Sequence, residues 1–204
     1  MTRLEKQMTF LEELDKLKQI GRQTYLCDGS RKENDAEHSW HCAVMALLLA
    51  EYAPEGTDAA HAAAMLLLHD AVEIYAGDTY AYDPEGKKTQ RQREETAAER
   101  LFGLLPEDQA AEYRALWEEF EAWETKEAVF ARALDCIQPT MLNNASDGRS
   151  WQEHGTRLSQ VLHRNRRTHE ASEELWAYQR EHFIEPGVRK GRLIDDRNEE
   201  EDHA

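Results

Sequence analysis

Cysteine is scarce: Cys27, Cys42 and Cys136 are the three in 204 residues, and they show no paired spacing. That excludes a disulfide-stapled secreted scaffold and points to unpaired thiols in a reducing cytoplasm. Positive charge is scarce as well. Lys and Arg number 25 against 41 Asp and Glu, a formal net charge of −16, and a surface of that sign repels both a phosphate backbone and an anionic bilayer. Nucleic acid and membranes are therefore not expected as partners, and any phosphorylated ligand has to be drawn in by local positive charge. Long apolar runs are missing. The longest, Ala43–Ala50 and Ala62–Leu68, fall far short of the roughly 20 residues that span a bilayer, and the opening MTRLEKQMTF has no apolar core of a secretory signal.

Period-two alternation is also lacking, while apolar residues recur at helical spacing, as in Leu11, Leu14 and Leu17 or Leu101, Leu104 and Leu105. The expected fold class is all-α, a single-domain helical bundle over residues 1–190 followed by an acidic, disordered tail over 191–204. Helices are expected over 4–20, 36–53, 58–75, 88–104, 107–122, 125–146, 150–167 and 172–184. Thr57-Asp58 opens one of them, Gly77 follows its end, and Pro186-Gly187 ends the last. The segments Ala43–Ala50 and Ala62–Leu68 are apolar nearly all round and should lie at the bundle centre, which places the polar residues at their ends on rigid supports.

The chemistry concentrates in His38 of AEHSWH, the adjacent His69-Asp70 of LLLHDAVE, and Asp135 of ARALDCIQP. Two imidazoles and two carboxylates suit a divalent transition metal of borderline hardness. His69 and Asp70 terminate a run that should be buried, where an unpaired carboxylate costs several kcal/mol and a cation between the two side chains removes that cost. Glu73, four residues after His69 and three after Asp70, shares their face on a continuous helix. Asp78 follows a glycine that lets the chain turn tightly back. His41 shares a face with His38 and is read as a supporting residue rather than a ligand.

In this order the residues resemble the HD-domain metal-dependent phosphohydrolases, whose pattern is His, then His-Asp, then a distant Asp on a helical scaffold. The resemblance spans roughly residues 10–185. It implies an HD-type helical bundle with a metal held by His38, His69, Asp70 and Asp135. His69-Asp70-x-x-Glu73 followed by Gly77-Asp78-Thr79 is similar to the subgroup containing bacterial 5′-deoxynucleotidases, in which the positions of Glu73 and Asp78 are catalytic acids. In that subgroup an Arg upstream of the first His touches the substrate phosphate, and Arg22 stands at nearly the matching distance. The Trp that follows that Arg in the subgroup and helps select the sugar is Gln23 here. Binuclear relatives add histidines between the His-Asp pair and the last Asp. None stands between His69 and Asp135, so a single divalent ion is expected, one of Mn, Co, Mg, Fe, Ni or Zn.

The resemblance implies removal of phosphate from a nucleoside 5′-monophosphate by metal-activated water, with no covalent intermediate. Arg22 is the first candidate for substrate binding, with Lys88 and Arg91 behind it. Alternatives are a non-catalytic HD-fold binding or signalling module, and pyrophosphohydrolysis of an alarmone or a nucleoside triphosphate. Trp117, Phe120 and Trp123, at spacings of three, are read as core or as the surface of a homodimer.

Overall fold

A computed structural model describes residues 1–197. Helix α1 (Arg3–Leu14) runs into a tightened turn over Asp15–Gln19 and then into a hairpin of β1 (Gly21–Tyr25) and β2 (Lys32–Asn34). The strands are antiparallel, with Gly21 opposite Asn34 and Tyr25 opposite Lys32. Then come α2 (Asp35–Leu48), α3 (Ala59–Leu68), the single turn α4 (Glu73–Ala76), α5 (Pro84–Phe102), α6 (Glu107–Ala122) and α7 (Lys126–Ala145). The shorter α8 (Arg149–His154), α9 (Leu158–Arg164), α10 (Thr168–Ala171), α11 (Glu173–Gln179) and α12 (Glu185–Arg189) finish the bundle.

The all-α expectation holds, with one small hairpin that sequence periodicity does not announce. Five residues and three residues are too few for an alternating pattern to stand out, and Asp28–Asn34, which reads as a polar loop, includes β2 at Lys32–Asn34. The hairpin matters because it sets Arg22 and Glu33 beside Asp35 at the start of α2.

Helix α2 begins where Asn34 and Glu37 cap each other: Asn34 Oδ1 accepts from the Glu37 N–H at 3.0 Å and Glu37 Oε2 from the Asn34 N–H at 3.1 Å, a reciprocal arrangement that fixes the first turn. Helix α3 is opened by Asp58, whose Oδ1 accepts from the N–H groups of Ala60 and His61. The core between these helices and α6 and α7 is Cys42, Ala46, Met65, Leu66, Phe130 and Leu134, all fully or almost fully buried. A second cluster joins Phe10 to Val72, Leu101, Phe102 and Trp117.

Several boundaries depart from the sequence reading. The helix expected over 58–75 is not continuous: beyond Leu68 the bonds shorten to three residues, Ala71 N–H to Leu68 O at 3.0 Å and Glu73 N–H to Asp70 O at 2.9 Å. Such tightening is common at helix ends and rotates the side chains that follow. The helix expected over 150–167 is two, parted at Gly155, which takes a φ of 57°. Pro186 and Gly187 lie inside α12 rather than ending a helix, and a Cβ on Gly187 would stand 2.6 Å from the Trp151 ring, so glycine is there for close packing.

The tail expected over 191–204 is packed where it is described: Leu193 is buried with Trp151, and Ile194 O accepts from the Leu158 N–H at 2.8 Å. Residues 198–204 lie outside the described ones. Trp117 and Phe120 are core, not surface. The central helices are not buried all round either, because Trp40, Val44, Leu47 and Leu48 of α2 face outward.

Candidate active site

Helices α2 and α7 and the turn after α3 bring the expected ligands together. His38, from the first turns of α2, is fully buried, and its Nε2 lies 3.2 Å from Asp135 Oδ1 of α7 and 3.9 Å from Asp70 Oδ2. His69 Nε2 lies 3.1 Å from Asp70 Oδ1 and 3.8 Å from Asp135 Oδ1. The outer nitrogen of each ring is taken: His69 Nδ1 donates to the Leu66 carbonyl at 2.8 Å, and His38 Nδ1 donates to Gln138 Oε1 at 3.0 Å. Both Nε2 atoms are therefore turned inward on carboxylate oxygens, and His69 Nε2 is buried without a hydrogen bond. Imidazole nitrogens and carboxylate oxygens this close need positive charge between them, either a proton or a metal ion.

The titration behaviour agrees with a centre built for a cation. Burial works to lower the His69 pKa, but Asp70 and Asp135 outweigh it and hold it up at about 9. Burial works to raise the Asp135 pKa, yet Arg164 and the two imidazoles hold it well below the ordinary carboxylate range. Metal and protons compete for such donors, and the N₂O₂ set of His38, His69, Asp70 and Asp135 fits a divalent ion.

Above this centre sits a cavity of about 420 Å³ lined by Arg22, Asp70, Glu73, Asp78, Tyr80 and Arg164, among others. Arg22, the second residue of β1, reaches Asp70 Oδ2 with Nη1 at 2.7 Å and Asp35 Oδ1 at 3.2 Å, with Glu33 Oε1 3.7 Å from its Nε. Glu73 is buried in the α4 turn, and burial followed by repulsion from Asp70 and Asp35 pushes its carboxyl well above the ordinary range. The two acids share a hydrogen bond, and Asp35 is itself raised to about 6, chiefly by burial and by Asp70. Asp78 follows Gly77, whose φ of 75° turns the chain out of α4. Its carboxyl is raised by burial while Arg22 opposes the shift.

Arg91 reaches only the rim, lying 5.2 Å over the Trp117 ring and pairing with Glu95 at 2.7 Å. Lys88 does not face the cavity: it pairs with Glu85 at 2.7 Å on the outer surface, and its neighbour Lys87 lines the cavity instead. Gln23 stands in the wall, its Oε1 accepting from Lys32 Nζ at 2.6 Å and His154 Nε2 at 3.3 Å. His41 meets the Gln138 amide at 3.3 Å and the Trp40 ring at 6.0 Å between centroids.

Four contributors were not singled out from sequence. Asp35 stands three residues before His38, and Gln138 three after Asp135, so each shares a helix face with a ligand, a signal that spacing offers. Glu33 gives no such signal. Arg164 reads in sequence as part of a surface basic cluster, yet its Nη2 lies 3.1 Å from Asp135 Oδ2.

Comparison with known proteins places these residues in a family context. The HD domain family matches over residues 14–176. Two curated relatives, each called 5′-deoxynucleotidase HDDC2, are 33% identical in Bos taurus and 31% in Homo sapiens, over 141 residues. The matched segments cover 69% of this chain and 66% and 67% of those proteins, so the chain spans about two thirds of the length of the relatives it matches. A crystal structure described as a predicted metal-dependent phosphohydrolase from Magnetospirillum magnetotacticum MS-1 superposes with a TM-score of 0.90 at 52% identity, covering 94% of this chain and 96% of that one.

Proposed function

Because the chain belongs to the HD domain family, we propose that it is a metal-dependent phosphohydrolase that removes phosphate from nucleoside 5′-monophosphates. The observation that carries this reading is the convergence of His38, His69, Asp70 and Asp135 beneath a cavity whose wall holds Arg22 and two acids, Glu73 and Asp78, with pKa values raised by burial. A structural metal site would need neither acid.

A divalent ion held by the four ligands supplies charge neutralisation at a phosphoryl group and acidifies water. Arg22 binds: Nη1 alone meets Asp35 and Asp70, which leaves Nη2 for a phosphate oxygen. Glu73, kept protonated by its burial and by Asp35, hands its proton to the leaving oxygen. Asp78, on the loop behind Gly77, orients the attacking water and takes a proton from it. Tyr80, half-buried in the cavity wall, offers an apolar face to the remainder of the substrate.

The reading includes a single ion, a reducing cytoplasm supported by three unpaired thiols, and a homodimer. With Trp117 and Phe120 in the core, the apolar surface for the dimer is the outward stripe of α2, Trp40, Val44 and Leu47.

The test is product analysis on nucleoside mono-, di- and triphosphates, with chelated protein resupplied separately with manganese, cobalt and magnesium. Metal-dependent release of orthophosphate from 5′-monophosphates is expected. Release of pyrophosphate or triphosphate would replace the reading with pyrophosphohydrolysis or triphosphohydrolysis, and a metal-loaded protein that hydrolyses none of the panel overturns it.

A further inference from the structure

A second cavity, of about 740 Å³, opens beside the first and shares Tyr82, Lys87, Arg132, Asp135 and Arg164 with it. Its charge is opposite to that of the chain as a whole. Lys87, Arg132, Arg164 and Arg166 line it, against Asp135 as the one carboxylate among the described lining residues. Asp135 is already committed, to Arg164 at 3.1 Å and to His38 at 3.2 Å. Arg132 has a partial partner in Glu121, 3.4 Å away. Among the described residues no carboxylate pairs with Lys87 or Arg166, whose guanidinium donates to the His163 carbonyl at 2.9 Å.

Two buried donors add to the imbalance. Arg132 Nε and Trp123 Nε1 have no acceptor, although each belongs to a residue lining this cavity. Arg132 is held in place from behind, its guanidinium 4.8 Å from the Phe120 ring centre and 5.2 Å from that of Trp123. Burial and the neighbouring Arg164 and Arg166 depress the Lys87 pKa, as expected where cations crowd without counter-charge. In a protein of net charge −16, such a cluster runs against the overall charge and leaves donors unmet.

We propose that this cavity, beside the His-Asp centre, is a second phosphate subsite, holding a phosphate other than the one under attack. The position of the reacting phosphate in that statement rests on the phosphohydrolase reading, whereas the anion-binding property of the cavity does not. The shared chemistry is a phosphate dianion, and it has two sources: a second phosphate on the substrate, or free inorganic phosphate.

The test uses the full chain and the double variant Lys87→Gln/Arg166→Gln, two changes at exposed positions, with each single variant as a check should the double variant melt early. Inorganic phosphate and a nucleoside 3′,5′-bisphosphate are titrated calorimetrically into manganese-loaded and chelated protein. Binding is expected to weaken about tenfold in the double variant for each charge-assisted hydrogen bond lost. Equal affinity in both proteins overturns the subsite.

Steady-state kinetics separate the sources. If the second phosphate is the substrate's own, the ratio of kcat/KM for bisphosphate over 5′-monophosphate is above one in the parent and falls about tenfold in the variant. If the source is free phosphate, that ratio is unmoved and inhibition by inorganic phosphate is relieved. Failure to hydrolyse any phosphate ester would sink the phosphohydrolase reading but leave the calorimetric comparison decisive for the subsite.

Discussion

Gln138 stands between His38 and Glu33, with Oε1 3.0 Å from His38 Nδ1 and Nε2 donating to Glu33 Oε2 at 2.9 Å. The Glu33 carboxylate can only accept, so the amide has one orientation, and that orientation obliges His38 to carry its proton on Nδ1. Nε2, 3.2 Å from Asp135 Oδ1, is thereby the nitrogen left to ligate a metal ion. A hydrogen-bond partner behind a ligating imidazole typically contributes 10–100-fold in metal affinity. Gln138→Leu is expected to lose about that factor for manganese in a calorimetric titration, with helical content by circular dichroism preserved. Unaltered affinity would show that Gln138 does not orient the ring.

Glu73 touches none of the four proposed ligands through a hydrogen bond, and its bond partner is Asp35. Glu73→Gln should retain the metal while lowering kcat by about 10²–10⁴-fold, the range for a positioned acid–base group. Metal content by atomic absorption and turnover under saturating substrate separate the two effects. Asp70→Ala differs in kind: it removes an oxygen donor from the centre, and metal and activity should disappear together.

Arg22 lies in contact with two carboxylates at once, so its removal has two consequences. Arg22→Ala should raise KM for phosphate monoesters more than it lowers kcat, because a contact to phosphate in the ground state is lost. It should also leave Asp35 and Asp70 facing each other without their shared cation, a buried repulsion that lowers Tm. A variant with parental KM and Tm would remove Arg22 from both roles.

Gly77 carries the turn that delivers Asp78. Its φ of 75° and ψ of 147° belong to glycine, and other residues are strained there by about 1–3 kcal/mol. The loop is also pinned from outside, where Arg93 donates to the Ala76 carbonyl and, at 2.7 Å, to Thr79 Oγ1. Gly77→Ala is expected to lower stability by about that amount in urea unfolding and to reduce kcat through a displaced Asp78. Normal kcat in a destabilised protein would mean that the turn does not position the acid.

The proposed ligands were legible in sequence because each departs from its neighbours: a histidine or acid at the end or in the middle of an apolar stretch has few other reasons to be there. Helices α6 and α7 were legible for a related reason, having a proline or threonine at the start and a sustained apolar period. Glu33, Asp35, Gln138 and Arg164 were not picked out because their roles come from contacts across the fold. Nothing local marks Arg164 apart from Arg166 and Arg167; only the position of α9 against α7 puts one of the three on Asp135. Lys88 and Lys87 illustrate the same limit, since one residue of helical phase decides which faces the cavity.

Glu94, buried beside the cavity, accepts from Gln90 Nε2 at 2.7 Å. Burial raises its pKa above 4.5, and the Gln90 hydrogen bond offsets only part of that. The folded state thus binds this proton more tightly than the unfolded chain, so stability falls as pH rises from about 4.5 through the folded value, and the full cost remains at neutral pH. Glu94→Gln keeps the acceptor oxygen and loses the charge. Its Tm should exceed the parent's at pH 8, with the gap narrowing as the pH is lowered towards about 4.5. A gap that does not vary with pH would assign the effect to packing.

The strand of chain over residues 193–196 lies against the start of α9, where Ile194 O accepts from the Leu158 N–H at 2.8 Å and Asp196 Oδ1 from the Ser159 N–H at 3.0 Å. These bonds meet N–H groups that an α-helix cannot satisfy for itself. The helix that sets Arg164 on Asp135 is thus closed off by residues synthesised some thirty positions after it. During translation the four proposed ligands emerge first, and the clasp on α9 last. A chain cut before residue 193 would carry all four proposed ligands and Arg164 but lack the clasp that closes the start of α9.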